Sequence, residues 1–220
     1  MTALAVLLAS VGVADLLPRW RHLGGLGVAI TGSLVLGLGW HALWVVPVVT
    51  LVLVVWLDAA SHASTAGTVL LAVTGVALVA ASPILEVTDA PIGGWYRDLA
   101  VPGLAGVPLD RAALGLGVLL FLTTAANVVV RQALEATGPQ VLATEKTLRG
   151  GRLLGPLERW LVFGFAVSGN LGAIAVVVAA KGILRFPEIS QDSKDGMRAE
   201  YVLVGSFVSW SLALVLVPLF

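Results

Sequence analysis

The chain has no cysteine. Disulfides, zinc–thiolate centres and cysteine nucleophiles are thereby excluded, and the redox compartment leaves no mark on the sequence. Charge is scarce as well. Only 12% of residues are charged while 58% are hydrophobic, which is about half the charged share of a soluble domain. A soluble domain so poor in charge has too little polar surface to clothe itself. The 13 basic and 13 acidic residues cancel, so no bulk attraction draws the chain to nucleic acid. A basic n-region is missing too: the apolar stretch from Thr2 to Leu17 begins without the positive charge that a signal peptide requires. That stretch reads as a first membrane helix.

What is present is a series of apolar runs. They fall at 2–17, 24–40, 41–57, 67–85, 112–130 and 200–219. Several are only about 25 Å long as helices, short of a hydrocarbon core of about 30 Å, so local thinning or interfacial extension is expected. Pro47 should bend the third run, and Gly39, Trp40 and His41 must then hold a tight turn between runs two and three.

The stretch 151–186 reads in two ways. As one helix, Leu157 to Ala180 crosses once. Alternatively Ser168-Gly169-Asn170-Leu171-Gly172 is a turn, since Gly and Asn tolerate left-handed backbone, and helices 152–168 and 171–186 form a hairpin. The positive-inside rule favours the hairpin. With Arg19 and Arg21 cytoplasmic, it places every Lys and Arg except Arg97 and Arg111 on the cytoplasmic side. A single crossing exports Lys181, Arg185, Lys194 and Arg198. The expectation is an all-α polytopic membrane protein: one integral membrane domain spanning 1–220, with about eight short transmembrane helices. Ten arginines against three lysines, amid abundant Ala, Val, Leu and Gly, suit a GC-rich bacterial genome and hence a multi-pass protein of the bacterial cytoplasmic (inner) membrane.

Trp20, Trp40, Trp44, Trp56, Trp95 and Trp160 fall near expected helix ends, where amphipathic rings prefer the interface; Trp210 is the exception, near mid-helix. Small residues four apart, Ser33 with Gly37, Gly164 with Ser168 and Gly205 with Ser209, mark places where backbones can approach. The proline-bearing stretch 86–111 reads as an irregular external cap. Residues 132–150 suit a short interfacial helix or a solvated linker.

The hairpin has a chemical consequence. It brings Arg152, Glu158 and Arg159 to the same membrane face as Lys181, Arg185 and Glu188, with Glu200 and Tyr201 opening the last helix there. Lys181 and Arg185 share a helix side, and Glu158 and Glu200 are the counter-charges. Such a cluster is either a structural clasp or a cationic pocket for an anionic headgroup or solute, because an Arg fork matches phosphate. A second polar set comprises Asp15, Asp58 and His62, with Asn127 near Thr123 and Thr124. Asp58 and His62 are four apart, a spacing that can relay protons or help hold a metal, though two ligands make no zinc site. Interhelical hydrogen bonding is the default role for Asn127.

No G-x-S-x-G elbow, H-E-x-x-H metal helix or paired-aspartate motif of membrane CDP-alcohol phosphotransferases occurs. Ser168-Gly169-Asn170-Leu171-Gly172-Ala173 resembles a stretch of bacterial acyl-phosphate glycerol-phosphate acyltransferases. The Thr-Asn that follows in that family is absent, as is its glycine–lysine motif, and the turn would face away from the cytoplasm. A broader likeness covers about 150–210. Gly151-Arg152, Gly155, Leu157-Glu158-Arg159, Ala180-Lys181-Gly182, Arg185-Phe186, Glu188, Glu200-Tyr201, Leu203 and Gly205 together resemble a bacterial integral-membrane family, a domain of unknown function. Of that family's N-terminal H-x-x-A-D pattern only Ala14-Asp15 is kept, with Val at position 11. The resemblance implies a topology and a choice of site, and supplies no reaction or cofactor.

The leading expectation is therefore a small transporter-like protein, or one binding an anionic lipid headgroup or solute, that uses the cytoplasmic charged cluster. Membrane lipids are its expected partners and nucleic acid is not. The alternatives are a membrane-embedded enzyme acting on a phosphorylated lipid through Asp15, Asp58 or His62, and a structural subunit that works as a homo-oligomer or beside a partner subunit.

Overall fold

The computed structural model describes residues 1–17, 19–36, 44–61, 64–83, 90–99, 102–104, 106–137, 151–190 and 197–220, without the side chains at 61, 151–153, 187–189 and 197–198. The described residues are helical and contain no strand. In chain order the helices are α1 (Thr2–Leu16), α2 (Arg21–Val35), α3 (Val45–Ser61), α4 (Ala66–Ala81), α5 (Gly93–Asp98), α6 (Leu109–Leu120), α7 (Ala126–Thr137), α8 (Gly151–Val167), α9 (Leu171–Ser190) and α10 (Met197–Val215). A π turn, Phe121–Ala125, joins α6 to α7. A 3₁₀ turn, Val217–Leu219, follows α10. By their contacts the residues form two compact units, Met1–Phe121 and Leu122–Phe220.

In the first unit α1 is the hub, touching α2, α3, α4 and α6. Its sequence has no polar face, and a helix apolar all round is stable only when surrounded. Leu7, Val11 and Ala14 are accordingly fully buried, with Val49, Leu53, Leu114 and Val118 on the neighbouring helices. Two glycines set the closest approach. A Cβ on Gly12 would stand 2.5 Å from the Leu120 carbonyl carbon, and one on Gly117 would stand 2.6 Å from the Ala5 oxygen. The backbones of α1 and α6 therefore meet directly, a contact that the small-residue spacings of the sequence do not mark.

In the second unit α10 touches α7, α8 and α9, and α8 lies against α9. The fold-back between α8 and α9 falls at Ser168-Gly169-Asn170. Gly169 takes φ +73°, a left-handed conformation that costs glycine little. Asn170 then caps α9, its Oδ1 accepting from the Ala173 amide at 3.2 Å. Phe163 and Phe220 meet edge-on at 5.4 Å.

Several expectations change. Among the described residues two helical runs, Leu109–Thr137 and Ala199–Leu219, are long and apolar enough to cross a membrane, and not about eight. Thr2–Leu16, Val45–Ala60 and Ala66–Ala81 are apolar but shorter than the roughly 20 residues a full crossing needs. Helices α8 and α9 interrupt their apolar runs with Glu158, Arg159, Lys181 and Arg185. Pro47 lies in the first turn of α3, where its missing N–H costs no helical bond, so the expected interior bend has no cause. The supposed irregular cap contains α5, with the Tyr96 hydroxyl donating to the Val107 carbonyl at 3.0 Å. Residues through Thr137 belong to α7, which leaves 138–150, along with the turn expected at 39–41, outside the described residues.

Candidate functional site

The second unit contains a buried polar knot centred on Arg159, whose relative exposure is 1%. Residues 158 and 159 are about 100° apart on α8, so the two neighbouring charges face different surroundings. Arg159 is directed inward. Its Nε donates to the Leu122 carbonyl at 2.6 Å, and one terminal nitrogen donates to Ser209 Oγ at 3.2 Å. The other terminal nitrogen donates to Asn127 Oδ1 at 2.8 Å and to the Thr123 carbonyl at 3.3 Å. All four acceptors are neutral. Two of them are carbonyls of the π turn, where the backbone leaves the regular i→i+4 ladder. Gly155, one turn before Arg159, lies beside the guanidinium: a Cβ there would sit in ordinary van der Waals contact, 3.5 Å from an Arg159 terminal nitrogen.

Glu158 faces α9, where its carboxylate forms an ion pair with Lys181. Glu158 stands eleven residues before Gly169 and Lys181 eleven residues after Asn170, so the turn sets this pair in register. Both side chains retain only 15–16% exposure. The Lys181 ammonium also lies 5.3 Å from the centre of the Trp210 ring, within cation–π range. The indole nitrogen of Trp210 is buried and donates to no acceptor among the described residues.

The remaining members of the expected cluster are placed differently. Arg185 is half-buried one turn beyond Lys181 on α9. Glu200 is exposed in the first turn of α10 and forms no ion pair with a described cation, so the counter-charge to Lys181 is Glu158 alone among the described residues. Arg152 lies in the first turn of α8 and Glu188 in the last turn of α9, with side chains outside the described set.

The second polar set divides. Asn127 belongs to the Arg159 knot, in the interhelical hydrogen-bonding role expected of it. Asp15 belongs to the first unit, where both oxygens are engaged: Oδ1 accepts from Arg21 and Oδ2 from the Trp56 indole, at 2.8 and 2.9 Å. Trp56 is fully buried and lies 6.5 Å from the Phe121 ring, so it is a core residue and not an interfacial anchor. Asp58 is exposed on α3, and His62 lies outside the described residues. Among the described residues no three His, Asp or Glu side chains converge as metal ligands would.

Reading from sequence missed the roles of Ser209 and Trp210. Each left a signal: Ser209 as half of a small-residue pair, Trp210 as the tryptophan away from a helix end. Gly164, by contrast, has open space where a Cβ would sit, so the Gly164–Ser168 pair marks no contact within the described chain. No family model, curated protein or solved structure matches the chain.

Proposed function

We propose that the chain is a multi-pass protein of the bacterial inner membrane whose second unit binds an anionic headgroup or small anionic solute beside Lys181 and Arg159. Charge balance is the observation that carries this reading. Among the described residues Arg159 and Lys181 contribute two buried or nearly buried cations against the single carboxylate of Glu158, and every acceptor of Arg159 is neutral. An uncompensated cation held away from water costs several kcal/mol, about what a bound anion would recover.

The outer surfaces support the membrane setting. On α9, Leu171, Val176, Ile183, Leu184 and Phe186 are 67–74% exposed, and on α4 so are Val69, Val73 and Val76 to a similar degree. Apolar faces of this extent suit lipid better than water. Helices shorter than the bilayer are accommodated where they are enclosed by neighbours, as α1 is, or where the membrane thins. The distribution of Lys and Arg supports a cytoplasmic position for the Lys181 end of the hairpin.

The test is a ligand-induced shift in melting temperature. Purified protein is titrated with inorganic phosphate and with dispersed phosphatidylglycerol, because a ligand at a hundred times its Kd stabilises by about 2.7 kcal/mol. Lys181→Ala and Arg185→Ala should stay folded and inserted yet lose the shift. Variants that unfold to the same extent as they lose binding would make the cluster a clasp.

A further inference from the structure

Among the described residues, a buried Arg159 N–H and the Trp210 indole N–H of the second unit remain without an acceptor. A guanidinium has five N–H groups, and Arg159 directs four of them at Leu122, Thr123, Asn127 and Ser209. The fifth, on the nitrogen that bonds Ser209, has no partner among the described residues. The second orphan is the Trp210 indole N–H. Ser209 and Trp210 are consecutive on α10, as Glu158 and Arg159 are on α8, so the two orphans and the Lys181–Glu158 pair occupy one level of the same unit. A buried donor left unmade is costly, and it is most costly away from water.

Resting on the anion-binding reading above, we propose that Trp210 is a ligand-binding residue: its indole N–H donates to an oxygen of a phosphate group held by Lys181. The indole fits this task better than a second lysine would. It is a donor only, so it attracts an acceptor without adding charge, and its ring already lies beside the Lys181 ammonium at 5.3 Å. Glu158 pairs with Lys181 when the ligand is absent and yields part of the ammonium when phosphate arrives, whose negative charge then balances the second cation. The shared chemistry is a phosphate oxygen, whether it belongs to a lipid headgroup or to a free anion.

The experiment uses the full chain in detergent. Binding of inorganic phosphate and of short-chain phosphatidic acid is measured separately by calorimetry for wild type, Trp210→Phe, Trp210→His and Lys181→Met. A hydrogen bond to an ionised partner is worth roughly a tenfold to hundredfold change in affinity. Trp210→Phe should weaken binding to that extent, and Trp210→His, which keeps a ring N–H, should recover part of it. In wild type, one indole N–H resonance should move when the ligand is added. Binding of phosphatidic acid alone would identify a lipid headgroup, and binding of both a free anion site. If Lys181→Met loses binding while Trp210→Phe binds like wild type and no indole resonance moves, the role of Trp210 is refuted and the anion site stands. If wild type binds neither probe, both fall.

Discussion

Replacing Arg159 with methionine tests the knot most directly. Methionine keeps most of the volume and removes all five donors. Four acceptors then lose their partner: the Leu122 and Thr123 carbonyls, Asn127 Oδ1 and Ser209 Oγ. Two effects oppose each other. Each bond to a charged donor is worth about 1.5–3 kcal/mol, whereas removing a buried cation relieves a desolvation cost of several kcal/mol. Ser209 can also turn its hydroxyl toward its own helix, as Ser206 does to the Val202 carbonyl. The π-turn carbonyls and Asn127 lose a charged donor, which leaves a net loss of about 3 kcal/mol, at the lower end for a broken buried charged set. For a chain of this size that is about 6–12 °C in melting temperature. Arg159→Lys should be at least as damaging. It keeps the buried charge but presents one compact ammonium to acceptors on three segments. Thermal unfolding in detergent, followed by circular dichroism, measures both. A double-mutant cycle with Asn127→Leu should give a coupling of about 1–3 kcal/mol. An Arg159→Met protein that melts with wild type, together with strictly additive cycle energies, refutes the reasoning.

Glycine substitutions should separate close contact from helix propensity. Gly12→Ala and Gly117→Ala drive a methyl into backbone at 2.5 and 2.6 Å and should each cost about 1–3 kcal/mol in thermal unfolding, whereas Gly164→Ala meets nothing and should gain up to about 1 kcal/mol. The absence of cysteine allows a clean map of the hairpin. Ser168→Cys, in the turn before α9, and Ser190→Cys, at its last residue, should react with an impermeant maleimide from opposite sides of the membrane; labelling from one side only would remove α9 as a crossing element.

Most of the helical skeleton was readable as apolar runs. The fold-back was readable because Ser168-Gly169-Asn170 is unlike anything a helix interior prefers, and the Glu158–Lys181 pair follows from that turn by counting. Arg159 was legible as a charge but not as a buried one. Its neighbour Glu158 looks identical in sequence, and only the rotation of α8 sends one to α9 and the other inward. The π turn was not legible at all, since Phe121 to Ala125 differs from a regular helical stretch by one residue of register. Asp15 and Trp56 are 41 positions apart, and their bond depends on how α1 and α3 come together, which no local pattern encodes. Only two described helical runs reach a full crossing length, because an apolar run shows which residues avoid water and not how far the helix continues.

On the membrane reading proposed above, the order in which the acceptors of Arg159 are synthesised has a consequence for insertion. Leu122, Thr123 and Asn127 leave the ribosome before Arg159 does, and Ser209 follows it. When α8 enters the bilayer, its guanidinium therefore meets oxygen atoms already in place on the preceding helix, and the arrival of α10 closes the last bond. Moving the acceptors downstream of Arg159 would strand a bare cation in hydrocarbon for as long as translation takes to catch up.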